Sequence, residues 1–434
     1  MLELKPASAV KPLPAAKIES AYRAAQARFA DLGVNADRAV RAALAVPISL
    51  HCWQADDVKG LETPADGPVS GSGTLATGNY PGAARCGDEI RDDFELALRL
   101  LPGAWKFNLH ASYAETGARR VERDALEPRH FARWIDWAAD QKIGLDLNPT
   151  FFAHPMVTDG LTLASEKKDV RDFWIAHAIC CRKICQAMTR RLGQPCVNNI
   201  WIADGRKDST ADRWGPRQRL IEALDQIFAV KLSAGVVDAV ESKLFGIGLE
   251  DYTVGSNEFY LLYAQSRGIC PTFDLGHFHP TESVADKLSA VLSYVESIHI
   301  HASRPIRWDS DHVLRLDDSV KALCDEAVRG QAVDRIYWGT DFFDASINRI
   351  AAWVLGARAL RKGLLRAMLE PWVLAKKAEY AADGATKLAL AEYREELPFG
   401  AVWDYACFQA EVPTGLAWLA EIKQYETEVL AFRS

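Results

Sequence analysis

The chain has 434 residues, a formal net charge of −7, 49% hydrophobic residues and 25% charged residues. That balance describes a globular chain able to bury a sizeable core. The acidic surplus and the lack of any Lys/Arg run disfavour nucleic-acid binding. No stretch is apolar enough to span a bilayer, and the opening MLELKPASAVKPLPAAKIES lacks the basic, apolar and small-residue zones of a secretory leader, so no membrane association and a cytoplasmic location are expected. Nine cysteines without zinc-type CxxC pairs, three of them (Cys180, Cys181, Cys185) within one helical segment, read as packed free thiols.

In chain order, residues 18–45 read as two helices. Eight strand-like runs follow: VPISLHCW from Val46, WKFNLHAS from Trp105, GLDLNPTF from Gly144, CVNNIWIADG from Cys196, VDAVESKL from Val237, GICPTFDLGH from Gly268, ESIHIHAS from Glu296 and DRIYWGTDF from Asp334. Between them lie segments such as DEIRDDFELALRLL and SVADKLSAVLSYV, whose apolar residues recur at three- and four-residue spacing. Alternating strands and helices predict a parallel sheet, and eight strands are the number that closes a barrel. A doubly wound open sheet is the competing architecture, but no glycine-rich phosphate loop follows the first strand. The expected fold is therefore α/β, a (β/α)8 TIM barrel over residues 46–344, preceded by a tail and helices (1–45). A helical extension (345–434), with breaks at Pro371 and at Asp383-Gly384, is expected to serve oligomerisation.

Each strand begins apolar and ends polar, at His51, His110, Asn148, Asp204, Glu241 with Lys243, Asp274 with His277, His301 and Asp341. The carboxyl ends of barrel strands build the active site, so these residues are expected to share one pit. Seven of the side chains in this region are metal-seeking: Glu241, Asp274, His277, His301, Asp309, Asp311 and Asp341. Carboxylate and imidazole without thiolate suit hard or borderline divalent ions such as Mn2+, Mg2+ or Co2+. One ion on Glu241, Asp274, His301 and Asp341 and another on Asp274, His277, Asp309 and Asp311 would be joined at Asp274 as a two-metal site. Taken singly, each residue has a plainer reading as a helix cap or a hydrogen-bonded core group; Asp317 and Asp318 read as caps, and His279 and His299 as supporting or packing groups.

Several long strings in order, SLHCWQADDV, ATGNYPG, VESKLFGIG with YTVGSNEFY, FDLGHFHPTE, HASRPIRWDSDHV and DFFDASINRIAAW, carry a resemblance to the bacterial L-rhamnose isomerase family from about residue 18 to the end. The resemblance implies a barrel with extra helices, a homotetramer, and interconversion of L-rhamnose with L-rhamnulose. It also implies manganese as the usual ion, with Co2+, Mg2+ or Zn2+ as substitutes. Glu241, Asp274, His301 and Asp341 would then hold a structural metal, His277, Asp309 and Asp311 the catalytic one, and Lys243 would lie near the substrate.

A hydride shift is the expected chemistry, because the carboxylates best placed to act as a base for an enediol route are engaged as ligands. Lys243, Asp341 and Asp309 are the expected catalytic residues, with His110 and Asp309 as candidates for ring opening. Trp53, His110, Trp201, Lys243 and Val58 are expected to bind the sugar, with Val58 and Leu61 toward its 6-methyl group. Thr74 stands where the family tends to carry an aliphatic residue. Two rival classes, a phosphodiesterase or endonuclease and an inactive sugar-binding protein, share the scaffold; the first calls for a basic groove and more histidine ligands, the second for missing ligands.

Overall fold

Each of the eight apolar runs forms a strand: β1 (Ile48–His51), β2 (Trp105–His110), β3 (Gly144–Asn148), β4 (Cys196–Trp201), β5 (Val236–Glu241), β6 (Cys270–Asp274), β7 (Ile298–Ala302) and β8 (Ile336–Thr340). In the computed structural model, which describes residues 12–62, 80–117, 120–232, 235–244, 250–306 and 311–433, each strand pairs in parallel with its sequence neighbours. β8 returns to β1 through Ile48 opposite Trp338, and the barrel closes as expected.

Side chains alternate across a strand, and here the two faces differ sharply in polarity. Ile48, Leu50, Phe107, Leu109, Leu145, Leu147, Ile300 and Trp338 join one buried cluster with helix residues such as Phe94, Trp134, Leu323 and Trp353, so they face outward. The intervening positions carry Ser49, His51, Asn108, His110, Asp146, Asn148, Asn199, Glu241, Thr272, Asp274, His299 and His301, all buried. They face inward: Asn199 of β4 bonds Thr272 of β6, and His51 of β1 touches His301 of β7, although neither pair belongs to adjacent strands. Apolar packing therefore sits between barrel and helices, while the interior carries polar chemistry.

The flanking helices follow their sequence signals. Before the barrel come α1 (Ala15–Ala30) and α2 (Ala36–Ala45), and around it α3 (Gly87–Arg99), α4 (Ala132–Asp140), α5 (Lys168–Leu192), α6 (Trp214–Ala229), α7 (Asn257–Arg267), α8 (Val284–Leu292) and α9 (Asp318–Arg329). Asp317 caps α9 by accepting from the Val320 amide, and α5 ends at Gly193 with φ 67°, a left-handed turn that glycine adopts without a Cβ clash. All nine cysteines are free thiols, with Cys181 and Cys185 buried in α5. After β8 come α10 (Arg349–Met368), α11 (Trp372–Tyr380), α12 (Gly384–Glu395), α13 (Phe399–Gln409) and α14 (Trp418–Glu428). The breaks at Pro371 and Asp383 fall where expected, and a further one at Pro398 does not appear in the sequence reading. The two ends of the chain also meet: Tyr22 of α1 stacks on Tyr405 of α13 at 3.6 Å, within a buried cluster shared with α2. No helix among the described residues is long and apolar enough to cross a membrane.

Arg361 of α10 ties these layers together. Its guanidinium is fully buried, lies 4.4 Å from the Trp105 ring, and donates to the carbonyls of Ala43, Val46 and Ala104. Replacing it by methionine keeps much of the volume and strips the donor from each of these carbonyls. Arg361→Met is expected to lower unfolding free energy by about 2–4 kcal/mol, read as a lower denaturant midpoint at an unchanged slope. An unchanged midpoint would mean that water satisfies the carbonyls.

Candidate functional site

The pit is built at the carboxyl ends of β5 to β8. Glu241 closes β5, Asp274 closes β6, His301 lies one residue before the end of β7, and Asp341 follows β8. These four residues can each offer a ligand atom within 4.8 Å of the others. Asp341 is tied by its amide to the Ala302 carbonyl of β7, and Asp274 Oδ1 accepts from the Gly276 amide and the Ser303 hydroxyl. His301 Nδ1 lies 3.2 Å from Glu241 Oε2 and 3.4 Å from Asp341 Oδ2. Neither ring nitrogen of His301 makes a hydrogen bond of good geometry among the described residues. Carboxylates gathered within 3.2–3.4 Å of one imidazole are suited to sharing a cation.

Space for this cluster depends on a missing side chain. Gly339 lies between β7 and β1, and a Cβ there would sit 3.2 Å from His299 Nε2 and 3.3 Å from the His301 ring. A larger residue would press both imidazoles out of place. His277 approaches the same carboxylate from the loop after β6, with Nδ1 3.3 Å from Glu241 Oε1. The opposite flank is His51, whose Nε2 lies 3.7 Å from Asp341 Oδ1 and 3.1 Å from the Asn108 amide.

The electrostatics follow from burial and opposite charge. Burial opposes ionisation of Glu241, but His301, His277 and the Asn199 amide outweigh it and hold the carboxyl below its usual range. For His301, burial again favours the neutral form, yet Glu241, Asp341 and Asp274 raise its pKa to about 9. His51 and His110 behave oppositely: burial, reinforced for each by nearby histidines, keeps both far below the usual imidazole value. His301 is thus charged beside neutral His51 and His110.

Aromatic side chains wall the pit. Trp53, in the short 3-10 turn after β1, meets His110 edge-on at 4.0 Å and Phe152 at 5.8 Å, and Phe152 meets Trp201 at the end of β4. The Lys243 ammonium lies 5.0 Å from the Trp201 ring centre. Contacts of His51 with Trp53, His110 and His301 link this wall to the acidic cluster. Val58 is buried in the loop after β1 at φ 69°, next to Asp57 at φ 63°, two left-handed residues that Arg349 steadies by pairing with Asp57.

The structure therefore brings Glu241, Asp274, His277, His301 and Asp341 together, and joins Trp53, His110, Trp201 and Lys243 to them through ring and cation contacts. Asp309, the Asp311 side chain and Thr74 lie outside the described residues; the Asp311 backbone pairs with Pro305 in a short ribbon after β7. Asp204 plays a different part from the other strand ends: it accepts from the Thr162 amide and hydroxyl and the Ala164 amide, fixing a neighbouring loop. His279 is exposed and bonds Thr281. Sequence reasoning placed His51 in the pit but not among the metal-seeking side chains, and passed over Asn199, Ser303, Phe152 and Phe343, the last of which lies 5.6 Å from the Trp53 ring. Two-residue alternation from Trp201 places Asn199 on the inner face, whereas nothing local marks Ser303.

A family model described as L-rhamnose isomerase (RhaA) matches residues 16–433. An L-rhamnose isomerase of Mannheimia succiniciproducens is 52% identical over 417 residues, 96% of this chain and 99% of that protein. Counterparts from Escherichia coli O17:K52:H18 and Citrobacter koseri are each 50% identical, covering the same shares. A solved structure of an L-ribulose 3-epimerase aligns at TM-score 0.45 with 15% identity, over 77% of this chain and 97% of that one. A match that runs through every barrel strand and both helical ends leaves one assignment: the chain belongs to the L-rhamnose isomerase family.

Proposed function

We propose that this protein interconverts L-rhamnose and L-rhamnulose by a metal-assisted hydride shift between C2 and C1. The observation that carries the reading is the convergence of Glu241, Asp274, His301 and Asp341 to within 4.8 Å beside the Trp53 to Trp201 wall, in a chain of this family. The donor set is three carboxylates and one imidazole, all but Asp341 fully buried and none a thiolate, which fits Mn2+ and also Co2+, Mg2+ or Zn2+. Those four residues would hold one ion, and Asp274, His277, Asp309 and Asp311 a second. When bound, the ions supply Lewis acidity at the two sugar oxygens and offset the negative charge developing there.

The chain's own groups do the rest. Trp53 and Trp201 present flat apolar faces to a sugar ring edge, and Val58 lines the side of the C6 methyl. Neutral His110 can give or take a proton in ring opening, with Asp309 as its partner. Asp341 orients the water that accepts the O2 proton. As hydride leaves C2 for C1, negative charge grows on O1, and the Lys243 ammonium beside Trp201 is placed to offset it. Glu241 and Asp274, oriented by Asn199, Gly276 and Ser303, would be engaged as ion ligands, which favours the hydride shift over an enediol route that needs a base.

The same reading places residues 46–344 as the catalytic barrel, 1–45 as a leading tail with helices, and 345–434 as an extension used in a homotetramer. Val373, Leu374, Tyr380 and Leu388, exposed on α11 and α12, offer an apolar surface for such contacts. Nine free thiols suit a reducing cytoplasm.

Chelation should abolish turnover of L-rhamnose, and added Mn2+ or Co2+ should restore it with two ions counted per chain; full activity after exhaustive chelation would refute the metal requirement. In the same assay kcat/KM should favour L-rhamnose over L-mannose and L-lyxose by about tenfold or more, and equal values would remove the methyl pocket. Run in D2O, the hydride shift leaves C1 of the ketose free of solvent deuterium, whereas an enediol route places about one deuterium there per turnover.

Metal loading should also move a proton. Below about pH 9 the metal-free His301 is protonated, while a ligand imidazole must be neutral, so binding near neutral pH releases close to one proton per chain and weakens as pH falls. Titration calorimetry in two buffers of different ionisation enthalpy measures it. Identical heats in both would contradict the placement of His301 as a ligand.

A further inference from the structure

Beneath the acidic cluster lie three buried polar side chains that neither sugar nor metal requires: Asn199 on β4, Thr272 on β6 and His299 on β7. Asn199 Nδ2 donates to Glu241 Oε2, Thr272 Oγ1 donates to Asn199 Oδ1 at 2.8 Å, and Thr272 Oγ1 lies 3.1 Å from His299 Nδ1. Strand register sets this order, for Glu241 stands opposite Thr272 and Thr272 opposite His299.

The direction of every bond is forced. An ionised carboxylate only accepts, so Asn199 must turn its amide NH2 to Glu241 and its carbonyl to Thr272. The single hydroxyl proton of Thr272 then goes to that carbonyl. His299 must in turn donate from Nδ1 to the hydroxyl oxygen, which fixes its tautomer with Nε2 unprotonated.

Packing alone does not call for these residues. One step lower on the same strands, β4, β5 and β6 carry Val197, Ala239 and Cys270, apolar groups of the usual kind in such interiors. Burying an amide, a hydroxyl and an imidazole together is tolerable only while each is bonded, and the last bond in the line ends on a carboxylate of the site.

We propose that Asn199, Thr272 and His299 form a positioning line that fixes the orientation of the Glu241 carboxylate and thereby sets the affinity of the site for its divalent ion. The inference rests on the metal reading above. It makes Thr272 a positioning residue at a distance, acting through Asn199. Without its hydroxyl the Asn199 amide can rotate, and Oε2 of Glu241 then loses a fixed donor or faces a carbonyl oxygen. His299 also lines a cavity of about 470 Å³ with Lys106 and Tyr337, so Thr272 is the cleaner place to cut the line.

The test is Mn2+ titration into the chelated full-length protein by calorimetry, for the wild type, Thr272→Val and Thr272→Ser. Valine keeps the shape and removes the hydroxyl, and its Kd for Mn2+ should rise about tenfold or more; serine restores the hydroxyl and should return Kd close to wild type. The Mn2+ concentration giving half-maximal turnover should shift by the same factor, with KM for the sugar unmoved. His299→Phe cuts the line at its far end and should weaken Mn2+ in the same direction, which keeps the test available if the valine variant does not fold. A valine variant that binds Mn2+ like wild type, or a serine variant as weak as the valine one, overturns the positioning line alone. A wild type that binds no Mn2+ overturns it together with the metal reading.

Discussion

Closure of eight strands into a barrel is the constraint on which the rest depends. It gives each strand one face toward a shared interior, so side chains from strands far apart in sequence meet along the axis. In this chain the interior positions near the carboxyl ends are acidic and imidazole groups, and closure forces Glu241, Asp274 and Asp341 into one another's company around His301. Like charges at that separation repel strongly in a poorly solvated interior, and something positive must accompany them. In the metal-free chain that role falls to the His301 proton, which explains why His301, unlike His51 and His110, is held in its charged form.

Such an interior cannot supply its own cohesion, and the outward faces of the same strands do so. Ile48, Phe107, Leu147, Ile300 and Trp338 pack against the helices in a dense apolar layer. Hydrophobic burial there, at about 25 cal/mol per Å² of apolar surface, carries stability while leaving the axis free for polar groups. The helices outside the barrel add a further layer, in which α1, α2 and α13 share a cluster and Arg361 joins α10 to the carbonyls at the start of the barrel.

Several polar groups inside the barrel are linked to one another. Asn108 links His51 to Asn148, Lys106 pairs with Asp146, and Asn199 links Glu241 to Thr272. Among the buried atoms without a hydrogen bond, the His301 and His110 ring nitrogens lie beside carboxylates and tryptophans, where a ligand atom has most to gain.

The amino-acid sequence by itself determined the strands, the barrel and the acidic ends, because these rest on local periodicity and on residue type. Eight alternating runs, the terminal Glu241, Asp274 and His301, and the helix break at Pro371 are all visible without coordinates. The long strings shared with the family named the chemistry, since they preserve side chains in order. What only the tertiary structure decided is which inward residues meet. His51 joined the acidic groups because β1 closes against β8, next to β7, whereas Asp204, another strand end, stays apart because its oxygens are taken by the loop at Thr162. Asn199, Thr272 and His299 became a line only through the register of four strands. Local patterns record the polarity of each position, but partners across the barrel are set by closure and register, which no single stretch of chain encodes.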